Sequence, residues 1–260
     1  MLWQDPISAR GAVLSALLPG AQLPGLALEE AAAASGHQLV AGVDEVGRGA
    51  WAGPLSVGIA VLDADRLARG LAVPPGLTDS KRMTEKRREE IFEPVVCWCL
   101  AWAIGHAEPE ECDAYGITSA LGLAALRAAA SLPAGLLPTA VLLDGQHDFV
   151  TPARAAQLAP PVRLDQSESS SASKISPARG PAESAWCPLV VPVVRGDSTC
   201  ASISAAALLA KVTRDRMMRA FSSRYPDMGF DRHKGYPTPA HRQAVAAHGM
   251  TPLHRRSWSC

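Results

Sequence analysis

A chain of 260 residues is long enough for one substantial core and, on length alone, for two small domains. Its apolar fraction of 48% and formal net charge of zero suit a soluble globular protein, and no apolar run is long and unbroken enough to span a bilayer. Residues 1–26 lack the basic start and continuous apolar stretch of a secretion signal, and the six cysteines form no CxxC pair, so free thiols in a reducing cytoplasm are expected.

In chain order, residues 1–26 are punctuated by Pro and Gly and are expected to be loosely ordered. Leu28–Ser35 is rich in Ala and Glu and reads as a short helix closed by Gly36. Leu39–Val46 and Leu55–Leu62 read as strands on either side of the Gly53-Pro54 turn. Thr84 is placed to cap a charged helix over Thr84–Phe92, with Arg87 and Arg88 on its solvated side. The Trp- and Cys-rich Val95–His106 reads as a third strand, with Cys97 and Cys99 on one face. Ile117–Ser131 carries helical Ala/Leu periodicity, and Thr139–Leu143 is a short strand delivering Asp144-Gly145. From about Pro160 to Pro188, serines and prolines predominate, a composition too poor in apolar area to offset chain entropy, so a flexible insertion is predicted. Leu189–Val194 resumes as a strand, Ser198–Tyr225 as one long helix and Pro239–His248 as a last helix.

Alternating strands and helices predict an α/β fold on one mixed sheet: an antiparallel meander first, then parallel additions. The chain divides into an N-terminal extension with a short helix (1–36), a main domain carrying the insertion (37–225) and a basic C-terminal helical extension (226–260). From Lys211 to Arg256 the basic residues are Lys211, Arg214, Arg216, Arg219, Arg224, Arg232, Lys234, Arg242, Arg255 and Arg256, against Asp215, Asp227 and Asp231. Such segregation suits an arm that binds a polyanion, and equally a solvated helix face; charge alone does not choose.

Four acids fall at expected strand ends: Asp44, Glu45, Asp144 and Asp197. Carboxylates at such places need solvent, hydrogen bonds or metal, and several converging on one point suit Mg²⁺ or Mn²⁺, which take oxygen ligands. Adjacent strand residues point to opposite faces, so Asp44 and Glu45 aim together only if the chain turns at Glu45; otherwise Glu45 offers its carbonyl. Singly, each acid has a plainer reading: Asp144 as a turn residue, Asp197 as a helix cap, Glu45 as a surface charge. Gly47 and Gly49 flank Arg48 and let the backbone approach a ligand closely. Together these features read as a divalent-metal site facing a phosphate-bearing polymer.

Five blocks give these residues a family resemblance. They are Ala41-Gly42-Val43-Asp44-Glu45-Val46-Gly47-Arg48-Gly49 with Ala52-Gly53-Pro54; Leu77-Thr78-Asp79-Ser80-Lys81; Leu143-Asp144-Gly145; Gly196-Asp197 with the run Ser202 to Asp215; and His233-Lys234-Gly235-Tyr236-Pro237-Thr238. Over about residues 39–256 the chain resembles bacterial type 2 ribonuclease H, ribonuclease HII. The resemblance implies a ribonuclease-H-like five-stranded mixed sheet flanked by helices, with a C-terminal helical extension. It implies endonucleolytic cleavage of RNA in RNA–DNA hybrids and at a lone ribonucleotide in duplex DNA, with two Mg²⁺ or Mn²⁺ ions and a 3′-hydroxyl left upstream. It matches Asp44, Glu45, Asp144 and Asp197 to the catalytic, metal-binding acids, Gly47, Arg48 and Gly49 to the loop reading the 2′-hydroxyl, and Tyr236 to the tyrosine at the RNA–DNA junction. The 2′-hydroxyl both donates and accepts, which a bare backbone can answer. Lys81 and Lys211 are expected phosphate contacts, with Lys234 and nearby arginines further candidates.

No membrane and no small-molecule cofactor are expected, and a monomer is. The separation between Asp144 and Asp197 exceeds expectation because of the insertion, which leaves Asp148 and Asp215 as rival ligands; Asp215 ranks low, several turns into a helix. Ala207 stands where serine is common. His147 and His233 are expected at the surface or behind the site. Two other readings stand beside this one: a DNA-cutting nuclease of the same fold, which would lack the Gly47-Arg48-Gly49 and Tyr236 pairing, and a non-catalytic hybrid-binding protein, which would be free to lose an acid.

Overall fold

Small and branched apolar residues in β1 (Leu39–Val46) and β2 (Leu55–Asp63) give strands buried on both faces. That burial requires a layer of helix on each side. The computed structural model describes residues 23–153 and 186–258. Strands β3 (Ala101–Ala107), β4 (Ala140–Asp144) and β5 (Leu189–Val193) complete one sheet of order β3-β2-β1-β4-β5. The first three strands run antiparallel, β4 is parallel to β1, and β5 is parallel to β4. The expected meander with parallel additions is the observed topology.

Helix α1 (Ala27–Ala34) precedes the sheet, α2 (Ala64–Ala68) follows β2, and α3 (Glu85–Trp98) precedes β3. One face of the sheet, carrying Val43, Val57 and Ile59, packs on α4 (Pro109–Ala130) through Ala120, Ala124 and Ala128. The other, carrying Ala60 and Leu62, packs on α3 and on α6 (Ala201–Arg224). Each large apolar side chain buried here contributes roughly 1.5–3 kcal/mol. Helix α6 lies unusually close to the sheet: a Cβ on Gly42 would stand 2.1 Å from the Ser202 carbonyl carbon, and one on Gly58 would stand 2.5 Å from the Ala206 oxygen. Ala201, Ser202, Ala205 and Ala206 are small for the same reason.

Several expected boundaries move. Helix α3 extends to Trp98, so β3 begins only at Ala101. Ile91, Phe92, Val95 and Trp98 form one buried helical stripe, and Pro94 is tolerated because the Glu90 carbonyl that it leaves unpaired belongs to an exposed residue. Cys97 is therefore exposed on a helix and Cys99 is a buried cap residue; they do not share a strand face. Arg88 is half-buried rather than solvated, donating to the carbonyls of Ser80 and Met83 at 3.0 and 2.7 Å.

The single helix expected over Ser198–Tyr225 is two. A one-turn helix, α5 (Gly196–Thr199), breaks at Cys200, whose backbone is extended, and α6 starts anew. Gly25 makes the break, accepting from Ala201 N at 2.8 Å and donating to Thr199 O at 3.0 Å. The buried Glu29 of α1 accepts from Ser202 N at 2.7 Å, capping α6 from a distant element.

The predicted insertion falls mostly outside the described residues, but its last part does not. Trp186 is buried and donates to the Pro138 carbonyl at 2.9 Å, so Trp186–Pro188 belongs to the packed domain. Beyond α6, α7 (Phe230–His233) and α8 (Pro239–His248) pack around Phe230, Met228 and Met218 against Ala52. No helix among the described residues is long and apolar enough to cross a membrane.

Candidate active site

Asp44 shares the α6-facing side of β1 with Gly42, so the close seating of α6 buries it to 4% exposure. Asp144 ends β4, one strand position past the last β1–β4 pair, Val43 with Leu143. Asp197 sits in α5, just after β5, where Arg195 adopts the left-handed conformation and turns the chain back. Carboxylate oxygens of Asp44, Asp144 and Asp197 all lie within 4.8 Å of one another. The Asp144 carboxylate accepts from Asp197 N at 3.3 Å, and Asp44 accepts from Glu45 N at 2.7 Å.

Glu45 behaves as strand alternation demands. The chain does not turn there; β1 stays regular through Val46, and the carboxylate leaves the trio and lies 3.8 Å from Arg48. Lys81 brings a positive charge to the trio, donating to Asp197 at 3.1 Å from a largely exposed side chain.

Electrostatics mark the site. Burial first, then the neighbouring Asp144 and Glu45, push the Asp44 carboxyl well above the usual carboxylate range. Burial and Asp197 raise Asp144, and burial and Asp144 raise Glu45. Lys81 is raised despite burial, because Asp197 and Asp44 hold its proton. An all-oxygen donor set, partly dry and mutually repelling, fits a hard divalent cation.

Above this floor opens a cleft of about 180 Å³. It is lined by Asp44, Glu45 and Asp144, by Gly47, Arg48 and Gly49, and by Lys81, Lys211 and Tyr236. Lys211 donates to Asp215 at 2.6 Å and lies 6.0 Å from the Tyr236 ring centroid. Asp215 itself is buried between Lys211 and Arg88, away from the trio. Asp148 accepts from Val150 N and Thr151 N and is engaged as a local turn cap. Lys234 is buried against Asp231 and Glu85, and His233 is buried, bonded to Met228 O at 2.7 Å; neither is a surface group. Ser80 and Ala207 also line the cleft. Arg214 and Arg255, read from sequence as part of a polyanion-binding arm, are buried with their guanidinium groups on backbone carbonyls.

A mixed sheet of this topology with carboxylates gathered at its centre defines a ribonuclease-H-like nuclease. The ribonuclease H2 of Pyrococcus horikoshii is similar in structure, with a TM-score of 0.61 and 25% identity, covering 85% of this chain and 94% of that one. The Ribonuclease HII family model matches residues 41–158 and 181–260. The ribonuclease HII of Streptomyces avermitilis is 42% identical over 228 residues, 87% of this chain and 79% of that protein. That of Paracoccus denitrificans is 41% identical over 239 residues, 91% and 92% of the two chains. The chain belongs to the ribonuclease HII family and is an endoribonuclease.

Proposed function

We propose that this endoribonuclease hydrolyses the RNA strand of RNA–DNA hybrids and also cuts at a single ribonucleotide embedded in duplex DNA, leaving 3′-hydroxyl and 5′-phosphate ends. The observation that carries the reading is convergence: the loop Gly47-Arg48-Gly49, Lys81, Lys211 and Tyr236 share one cleft with Asp44, Glu45 and Asp144. Asp44, Asp144 and Asp197 would hold divalent ions, Mg²⁺ or Mn²⁺, with Glu45, which lines the same cleft, as the fourth acid. Two such ions, when bound, activate a water and stabilise the leaving oxygen of an in-line displacement.

The chain's own residues do the rest. Gly49 is exposed, and a Cβ there would meet no atom within 4 Å, so the loop backbone faces open space that a ribose can occupy. Arg48 and Lys81 present exposed cationic side chains beside the acids, suited to phosphates on either side of the scissile bond. Tyr236 offers a ring to the adjacent deoxyribose, where an added hydroxyl would be left without a partner. A reducing cytoplasm fits this reading, since Cys97, Cys99, Cys112, Cys187 and Cys200 are all free thiols.

The test is cleavage, with Mg²⁺ or Mn²⁺, of a duplex bearing one ribonucleotide, of a long hybrid and of an all-DNA duplex, with product ends mapped. Cleavage of the first two at ribonucleotides is expected; cutting of the all-DNA duplex would favour the DNA-nuclease reading. Tyr236→Ala is expected to impair the single-ribonucleotide substrate more than the long hybrid, and equal losses would remove its junction role.

A further inference from the structure

The Gly47-Arg48-Gly49 loop and Tyr236 come from segments almost 190 residues apart, and a third segment, residues 251–258, ties both down. Arg255 is 1% exposed and meets no carboxylate among the described residues. Its Nη1 donates to Arg48 O at 2.9 Å and its Nη2 to Gly47 O at 2.7 Å. Its backbone N–H donates to Trp51 O at 2.8 Å. The planar guanidinium thus fixes two successive carbonyls of the loop at once, a fork that an ammonium cannot match.

The preceding residue works on the other half. Thr251 N donates to His254 Nδ1 at 3.0 Å, so that nitrogen is the acceptor and Nε2 bears the proton. His254 Nε2 lies 3.0 Å from His241 Nε2, which must then accept, leaving His241 Nδ1 to donate to Tyr236 O at 3.0 Å. One tautomer assignment satisfies these three bonds, and the 3.3 Å approach of His254 Nδ1 to Thr251 O is then a contact and not a hydrogen bond. Burial holds His241 down to about 4, so the ring is neutral at physiological pH and the assignment stands there. Asp113 of α4 anchors the segment, accepting from Arg256 N at 2.7 Å and Ser257 N at 3.0 Å.

We propose that the adjacent residues His254 and Arg255 are positioning residues for ribonucleotide selection: Arg255 sets the loop that meets the 2′-hydroxyl, and His254, through His241, sets Tyr236. The inference rests on the loop and tyrosine roles given under Proposed function. Neither side chain touches substrate. Arg255 holds the loop carbonyls directly, and His254 holds the Tyr236 carbonyl through His241.

The test compares two quantities in one assay: kcat/KM for a duplex with one ribonucleotide, and Ki of the same-sequence all-DNA duplex as competitor. The competitor offers the same phosphates and no 2′-hydroxyl. Arg255→Met is expected to lower kcat/KM by about ten-fold or more and Arg255→Lys by less, with Ki within about two-fold of wild type. If Arg255→Met does not fold, Arg255→Lys alone decides. A parallel rise in Ki, or an unchanged kcat/KM in the folded variants, overturns the role of Arg255. Gly49→Ala separates the inference from the reading beneath it, because the added Cβ meets only open space and perturbs only a ligand. Loss in Gly49→Ala without loss at Arg255 leaves the loop as reader and sinks the inference. No loss in Gly49→Ala removes the loop's role, and the inference with it. For the second half, His254→Leu is expected to reduce the preference for the embedded ribonucleotide over a long hybrid, with His254→Gln, which keeps a donor, recovering part of it. An unchanged preference in both overturns that half.

Discussion

At the scale of single residues, Asp44 holds a costly position, a carboxylate at 4% exposure with Asp144 and Asp197 within 4.8 Å. Burial and the neighbouring acids raise its pKa, so without metal the folded state binds its proton more tightly than the unfolded state does. Stability then rises as pH falls through that window, and the charged carboxylate is a liability above it. Asp44→Asn is therefore expected to abolish cleavage while raising the thermal midpoint of the EDTA-treated protein at pH 8, by about 2–4 °C for each kcal/mol of repulsion removed. The gain should shrink as pH falls and the wild-type carboxyl takes up its proton. A midpoint that falls at pH 8 would mean that Asp44 stabilises the fold instead of straining it. Undiminished turnover would count against its place in catalysis.

At the scale of elements, the position of Asp197 depends on the break between α5 and α6, and Glu29 supports that break from α1. The carboxylate is fully buried, with Oε1 shared between Ser202 N and Cys200 Sγ and with Oε2 unpartnered. Burial raises its pKa, so its charge, like that of Asp44, opposes folding at high pH. Glu29→Gln keeps an acceptor for Ser202 N without the charge and is expected to match or exceed wild-type stability at pH 8. Glu29→Ala strands that N–H and is expected to cost about 1–3 kcal/mol. Urea midpoints of the two variants check the order, and the reverse order would show that the charge itself is needed. Gly42→Ala is expected to cost a further class of energy, about 1–3 kcal/mol of overpacking, because α6 must lift off the sheet. A rise in the metal concentration needed for activity would accompany it, since Asp44 and Asp197 would separate. These are the features that the sequence conceals. Strands such as Leu39–Val46 and the helix Pro239–His248 were legible because their periodicity is local. The helix–strand boundary near Trp98 was not, since a short apolar run fits either element until its packing partners are known. The break at Cys200 was illegible for a stronger reason: it is made by Gly25 and Glu29, some 170 residues away. The acids and the glycine-flanked loop stood out by motif, and alternation alone foretold that Glu45 and Asp44 would face apart in a regular strand.

At the scale of the molecule, the basic stretch from Lys211 to Arg256 changes meaning once folded. Arg214, Lys234 and Arg255 are buried. Arg216 and Arg219 pair with Glu89, Arg219 also with Glu85, and Lys211 pairs with Asp215. Arg232 lies 4.0 Å from Asp231. Arg224, Arg242 and Arg256 are exposed with no carboxylate partner among the described residues. The acids of α3 thus neutralise the late turns of α6, a pairing between elements that no count along one segment could reveal. Binding to a duplex releases counterions with a log–log salt slope of about −0.9 per phosphate neutralised, so ten free cations would give a slope near −9. The three exposed ones, with Arg48 and Lys81 beside the cleft, set a ceiling of about −4.5 on the same scale. The slope of duplex affinity against salt, measured at fixed Mg²⁺, is expected to fall between about −2 and −4.5. A slope near −9 would mean that the Glu85 and Glu89 pairs open on binding and hand their arginines to phosphate. Glu89→Gln distinguishes the two cases: it frees Arg216 and steepens the slope by about one if the pairs persist in the complex, and leaves it unchanged if they already open.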